Sequence, residues 1–143
     1  MSVTPLRELL GAAGEQYRLL LEEATALLRD FDSAAPEDFD LVVERRADIL
    51  AALQKIDAAI GELVTKPAPA ADPGDIAALE AFRSFREETT RKIIEMDSLV
   101  MALARERLNR LQQEMGALSR GKTALHGYET SGRERSNQHN SMA

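Results

Sequence analysis

One stretch, from about Asp75 to Arg120, constrains this chain more than any other. It contains no proline, and its only glycine is Gly116. Apolar residues recur at Ile76, Leu79, Phe82, Ile93, Met96, Val100, Leu103, Leu108, Leu111, Met115 and Leu118. Gaps of three, four and seven put them on one side of an α-helix. In the second half the pattern tightens to Ala104, Leu108, Leu111, Met115 and Leu118, the alternation of four and three that marks a coiled-coil seam. Glu87 with Arg91, Glu88 with Lys92 and Glu106 with Arg110 stand four apart, acid first, the favourable order on an exposed helix face. The stretch predicts one helix over 75–120, about 68 Å long at 1.5 Å per residue.

Two shorter helices are predicted before it. Thr4 and Pro5 suit an N-cap and a first helical position. From there Leu6, Leu9, Leu10, Ala13, Tyr17, Leu20, Leu21, Ala24, Leu27, Leu28 and Phe31 line one side of a helix over 5–32. After a break at 32–35, Pro36 opens a second helix over 36–64, with Glu37 and Asp38 in a first turn that favours acids. Its apolar side reads Phe39, Val42, Val43, Ile49, Leu50, Leu53, Ile56, Ile60, Leu63 and Val64. So short a connection predicts an antiparallel hairpin. Residues 66–74, KPAPAADPG, form a stiff stop, and Asp72 with Pro73 caps the long helix. Beyond Arg120 a short helix over 122–128 can follow, and 131–143 reads as a flexible tail. The expected fold is therefore all-α: one domain over 1–130, a coiled-coil-like antiparallel bundle of three long helices, which a short C-terminal helix can follow.

Cysteine is absent, which removes disulfides, thiolate catalysis and Cys-type zinc sites. No apolar run approaches membrane-spanning length, and the N-terminus carries no basic-then-apolar leader. A cytoplasmic protein is expected. Net charge is −6, unevenly spread. Residues 1–64 hold six basic and thirteen acidic residues, whereas 75–120 hold eight of each. A basic stripe for nucleic acid is missing.

Motifs that carry chemistry are few. Residues 116–123, GALSRGKT, match the phosphate-loop pattern, but a helix rather than a strand leads into them, and a chance match is the expectation. His126 and His139 are the only histidines, and neither has the Glu three residues earlier that a di-iron bundle requires. Glu22, Glu23, Asp38, Asp40, Glu44 and Asp48 fall on polar faces and read as solvated. No nucleophile–base set emerges. The expectation is no enzyme, no cofactor and no metal.

The length mismatch is more informative. The hairpin helices are about 42 Å long at 1.5 Å per residue, so they cover the third only to about Leu103. The regular seam beyond needs cover. A homodimer, a helix from another protein or the chain's own tail would supply it. A bend near Arg105 or Gly116 would instead close a compact four-helix bundle.

The architecture resembles the small flagellar type III export chaperones of the FliT and FlgN type. The matching residues are Tyr17-Arg18-Leu19-Leu20, Glu44-Arg45-Arg46-Ala47-Asp48-Ile49-Leu50 followed by Ile56-Asp57, and Leu118-Ser119-Arg120-Gly121-Lys122 followed by Tyr128. Tyr128 with Gly132-Arg133 looks like the FlgN ending. The resemblance implies a cytoplasmic chaperone whose C-terminal part binds the amphipathic terminal helix of a flagellar axial subunit, a cap or hook–filament junction protein. It implies delivery of that client to the export apparatus. Client capture would be helix-in-groove recognition. The expected partner-binding residues are Leu108, Leu111, Met115 and Leu118, extended by Leu125 and Tyr128. A homo-oligomeric coiled-coil scaffold or adaptor without an export role predicts the same seam. Neither reading involves nucleic acid or a membrane.

Overall fold

The computed structural model describes residues 4–65 and 72–142, the segment 133–142 by its backbone alone. Its elements are α1 (Pro5–Arg29), a 3-10 turn (Phe31–Ser33), α2 (Pro36–Thr65) and α3 (Pro73–Met142). The described residues are all-α, with three long helices and no strand. They divide into two compact units, residues 1–101 and 102–143.

In the first unit the helix starts form as the sequence demands. The Thr4 hydroxyl accepts a hydrogen bond from the Arg7 N–H at 3.3 Å, and Pro5 follows in the first turn of α1. The Ala35 N–H donates to Asp38 Oδ2 at 2.8 Å, half of a capping box at the start of α2. Asp72 accepts from the Gly74 N–H at 2.9 Å and caps α3. Of the proline-rich linker, residues 66–71 lie outside the described residues.

The helix α1 ends at Arg29, short of the expected residue 32. The chain tightens into the 3-10 turn there, and Phe31 turns inward, 4% exposed and edge-on to Phe39 at 6.0 Å. Burying that ring favours the tighter turn over another turn of α-helix.

Directions follow from cross-helix pairs. Pro5, Glu8 and Leu9 share a groove with Ala59, Glu62 and Leu63, while Phe31 meets Phe39, so α1 and α2 are antiparallel. Tyr17 packs edge-on to Phe82 at 6.2 Å, and the Thr25 hydroxyl lies 3.2 Å from the Met96 sulfur, so this part of α3 runs parallel to α1. The core gathers Leu10, Ala13 and Leu20 from α1, Leu53 from α2 and Phe82 from α3, with Leu6, Tyr17, Ile49, Ile56, Ile60, Leu79 and Ile93 against it. Several residues read as apolar-side are exposed, among them Val43, Leu50, Val64 and Ile76. A three-helix core buries a narrower stripe of each helix than its full apolar width.

Two polar ties lock the helices of this unit. Arg7 bridges Asp72 and Asp75, each at 3.0 Å, and the Thr4 hydroxyl donates to Asp75 at 2.6 Å. A Cβ at Gly74 would fall on the Arg7 guanidinium, 2.8 Å from Cζ, so glycine leaves room for the clasp. Between α2 and α3, Arg46 donates twice to Asp97 at 2.8 Å. The hydrogen-bonded Asp97 carboxylate raises the Arg46 pKa above its ordinary value, against partial desolvation.

The second unit corrects the expected ending. Helix α3 does not stop at Arg120, and no separate helix over 122–128 forms. It continues through Gly121, Gly127 and Gly132 to Met142, so the segment expected as a tail has helical backbone up to Met142. Glycine weakens a helix by only about 1 kcal/mol against alanine, too little to end a long one.

Candidate partner-binding surface

The seam predicted from heptad spacing lies on α3 in the second unit. Ala104, Leu108, Leu111, Met115, Leu118 and Leu125 follow one another in steps of four, three and seven, and so share one side of the helix. All six residues expected to bind a partner, Leu108, Leu111, Met115, Leu118, Leu125 and Tyr128, are 49–82% exposed. Val100, one turn before Ala104, is by contrast buried. The apolar stripe of α3 thus changes from core to surface while its spacing persists. Tyr128 stands three residues after Leu125, displaced around the helix from the seam, and is the most exposed of the six.

The opposite side of the same segment is polar. Asn109, Gln112, Gln113, Gly116 and Arg120 line a shallow depression there. Arg110 donates to Glu106 at 3.0 Å, the predicted i, i+4 pair. The segment is therefore amphipathic, with an exposed apolar stripe of flexible leucine and methionine side chains. Such side chains repack easily against varied apolar partners.

Residues 116–123 are helical throughout. Their N–H groups enter the i to i−4 ladder and cannot converge on a phosphate. Thr123 turns its hydroxyl back to the Ser119 carbonyl at 2.9 Å. His126 is exposed in mid-helix, and its carbonyl accepts from the Thr130 hydroxyl at 2.9 Å.

The sequence reading missed a groove of about 470 Å³ between α1 and α2, lined by Leu19, Glu22, Glu23, Ala26, Arg45, Asp48 and Ile49. Glu23 is not solvated as its charge suggested: its side chain is 15% exposed, Oε1 lies 3.6 Å from Arg45, and Oε2 is buried without a hydrogen-bond partner. The signal was available, because Glu23 stands between Leu20 and Leu27 at the margin of the α1 stripe. Glu22, Asp38, Asp40, Glu44 and Asp48 are exposed as expected.

Among the described residues no group of three His, Asp or Glu side chains is placed to hold a metal. No helix among them is long and apolar enough to cross a membrane. Comparison with protein-family models, curated proteins and solved structures found no match.

Proposed function

We propose that this protein is a cytoplasmic export chaperone, which holds the amphipathic terminal helix of a flagellar axial subunit on the Leu108–Leu125 seam. The observation that carries the proposal is the exposure of six large apolar side chains on one stretch of α3, on a helix whose earlier stripe is core. A stripe of this kind accepts the apolar face of another helix through anchors three, four and seven apart. Support also comes from the likeness of three short stretches, around Tyr17, Glu44 and Leu118, to the FliT and FlgN chaperones. The client would be a cap or hook–filament junction protein whose sticky end must stay apart until export. Handover to the export apparatus would then free the seam. No catalytic group or cofactor has a part in this cycle.

A pull-down tests it. Tagged full-length protein is passed through lysate of flagellated native cells, and bound proteins are identified by mass spectrometry. A flagellar axial subunit enriched by the wild type and lost with the double variant Leu111→Asp/Leu118→Asp is the expected result. Capture of only its own copies would overturn the client reading in favour of a homo-oligomeric coiled-coil scaffold, the reading that the regular heptad favours.

A further inference from the structure

The groove between α1 and α2 lies wholly within the first unit, so one packed hairpin places both of its walls. It is open to solvent, and its volume of about 470 Å³ falls within the roughly 300–1,000 Å³ of ligand clefts. Leu19, Ala26 and Ile49 give it an apolar strip, and Glu22, Glu23, Arg45 and Asp48 complete the lining. Three acids thus share the groove with one base.

The register of the hairpin positions those charges. Glu23 pairs with Arg45, and Phe31 packs on Phe39, so Glu22 stands about level with Asp48 on the opposite wall. Both of these side chains are exposed. Arg45 sits 3.6 Å from Glu23 Oε1 and offsets that buried acid. Glu23 Oε2, buried and without a hydrogen-bond partner, keeps the same wall negative. The nearest bases along α1 are held elsewhere, Arg18 by Glu15 and Arg29 by Asp30. Glu22 and Asp48 therefore set two like charges on either side of an apolar strip, an arrangement complementary to a cation between them.

We infer that this groove receives a basic helical segment of a partner protein. The aliphatic stem of an arginine or lysine lies on Leu19, Ala26 and Ile49, and its cationic head sits between Glu22 and Asp48. Long basic side chains join an apolar stem to a charged tip, which is the pattern of the groove in reverse. Arginine fits better than lysine, because its planar fork can donate to two carboxylates at once. A trough between two antiparallel helices accepts a third helix. Because the groove is open, a side chain carried on a helix gains more contact there than a small free cation does. Residues 1–64, with six basic and thirteen acidic residues, add a long-range attraction that salt weakens. The inference is independent of the α3 seam and of the client that the seam holds.

The probe is an alanine-based helical peptide with arginine at every fourth position, which offers little to a leucine seam. It is titrated into the isotopically labelled full chain and followed by amide NMR shifts, beside its glutamate counterpart and free spermidine. Saturable shifts confined to residues 19–26 and 45–49, absent with the glutamate peptide, are the expected result. No saturable shift up to ~1 mM, or shifts only on α3, would overturn the site. Equal shifts with spermidine would overturn the peptide occupant in favour of a small cation. Glu22→Gln/Asp48→Asn should weaken binding at least about fivefold once dichroism shows wild-type helicity. Glu114→Gln/Glu129→Gln removes the same net charge from exposed positions of the second unit and should leave binding unchanged. Equal losses in the two variants would mean attraction by net charge alone and would overturn the groove.

Discussion

Replacing Met115 by Asp should leave the folded single chain almost untouched. Met115 is 68% exposed, so only about a third of the roughly 1.5–3 kcal/mol that full burial is worth is at stake, about 0.5–1 kcal/mol. The poorer helix propensity of Asp adds about 0.3–0.5 kcal/mol. Leu53 makes the contrast, because it is 5% exposed at the centre of the three-helix core. Leu53→Ala should cost about 2–5 kcal/mol through lost transfer energy and the cavity left behind. The assay is urea unfolding in dilute solution, followed by near-ultraviolet dichroism of Tyr17, which packs on Phe82 in the core. In client binding the order should reverse. Met115→Asp places a carboxylate in the exposed apolar stripe and should abolish client binding, whereas folded Leu53→Ala should keep it. If Met115→Asp lowered dilute-solution stability as much as Leu53→Ala, the seam would be core, and the reasoning would fail.

Four further outcomes follow from the same geometry. Arg46→Met removes both bonds to Asp97, whose side chain is 36% exposed. Discounted for solvent screening, the loss should be about 1–2 kcal/mol in chemical unfolding. Gly74→Ala should dislodge the Arg7 guanidinium from Asp72 and Asp75, lowering stability by less than about 1 kcal/mol and flattening the dependence of Tm on salt. A Cβ at Gly121 or Gly127 meets open space, so alanine there should raise helicity and stabilise the second unit by about 0.5–1 kcal/mol each, read by circular dichroism. The Arg29 hydrogen bond holds the Asp30 carboxyl below the usual carboxylate range. A depressed folded-state pKa means that this stabilisation is present above the ordinary Asp value and is lost as pH falls through the lowered one. Arg29→Gln should return Asp30 to the ordinary range in an NMR titration.

Much of the fold was legible because helices advertise themselves locally. Thr4-Pro5, Pro36 and Asp72-Pro73 marked the helix starts through caps and fixed proline angles, and the apolar period marked the rest. The ends were harder. Phe31 closes α1 through a contact with Phe39, which no local pattern encodes. Gly121 and Gly127 are poor helix formers, yet a cooperative helix crosses residues of poor propensity when its neighbours propagate it. Val43, Leu50 and Val64 looked like core because spacing gives the width of an apolar stripe and not the number of helices that cover it. The same limit explains Glu23, a charged residue drawn under Arg45 at the margin of the stripe. The seam was readable as a pattern, while its exposure needed coordinates, since periodicity alone does not separate core from binding face.

The central claim is that the Leu108–Leu125 seam binds a client helix. It is tested most directly by a binding isotherm of the full-length protein with the terminal amphipathic helix of a flagellar axial subunit. Three proteins are needed: wild type, Leu111→Asp/Leu118→Asp on the seam, and Gln113→Asp on the polar side. At about 1.5–3 kcal/mol for each buried leucine, the seam variant should bind at least ~100-fold more weakly, and the polar-side variant should match the wild type within about twofold. Equal binding by all three proteins, or no binding by the wild type, would contradict the claim.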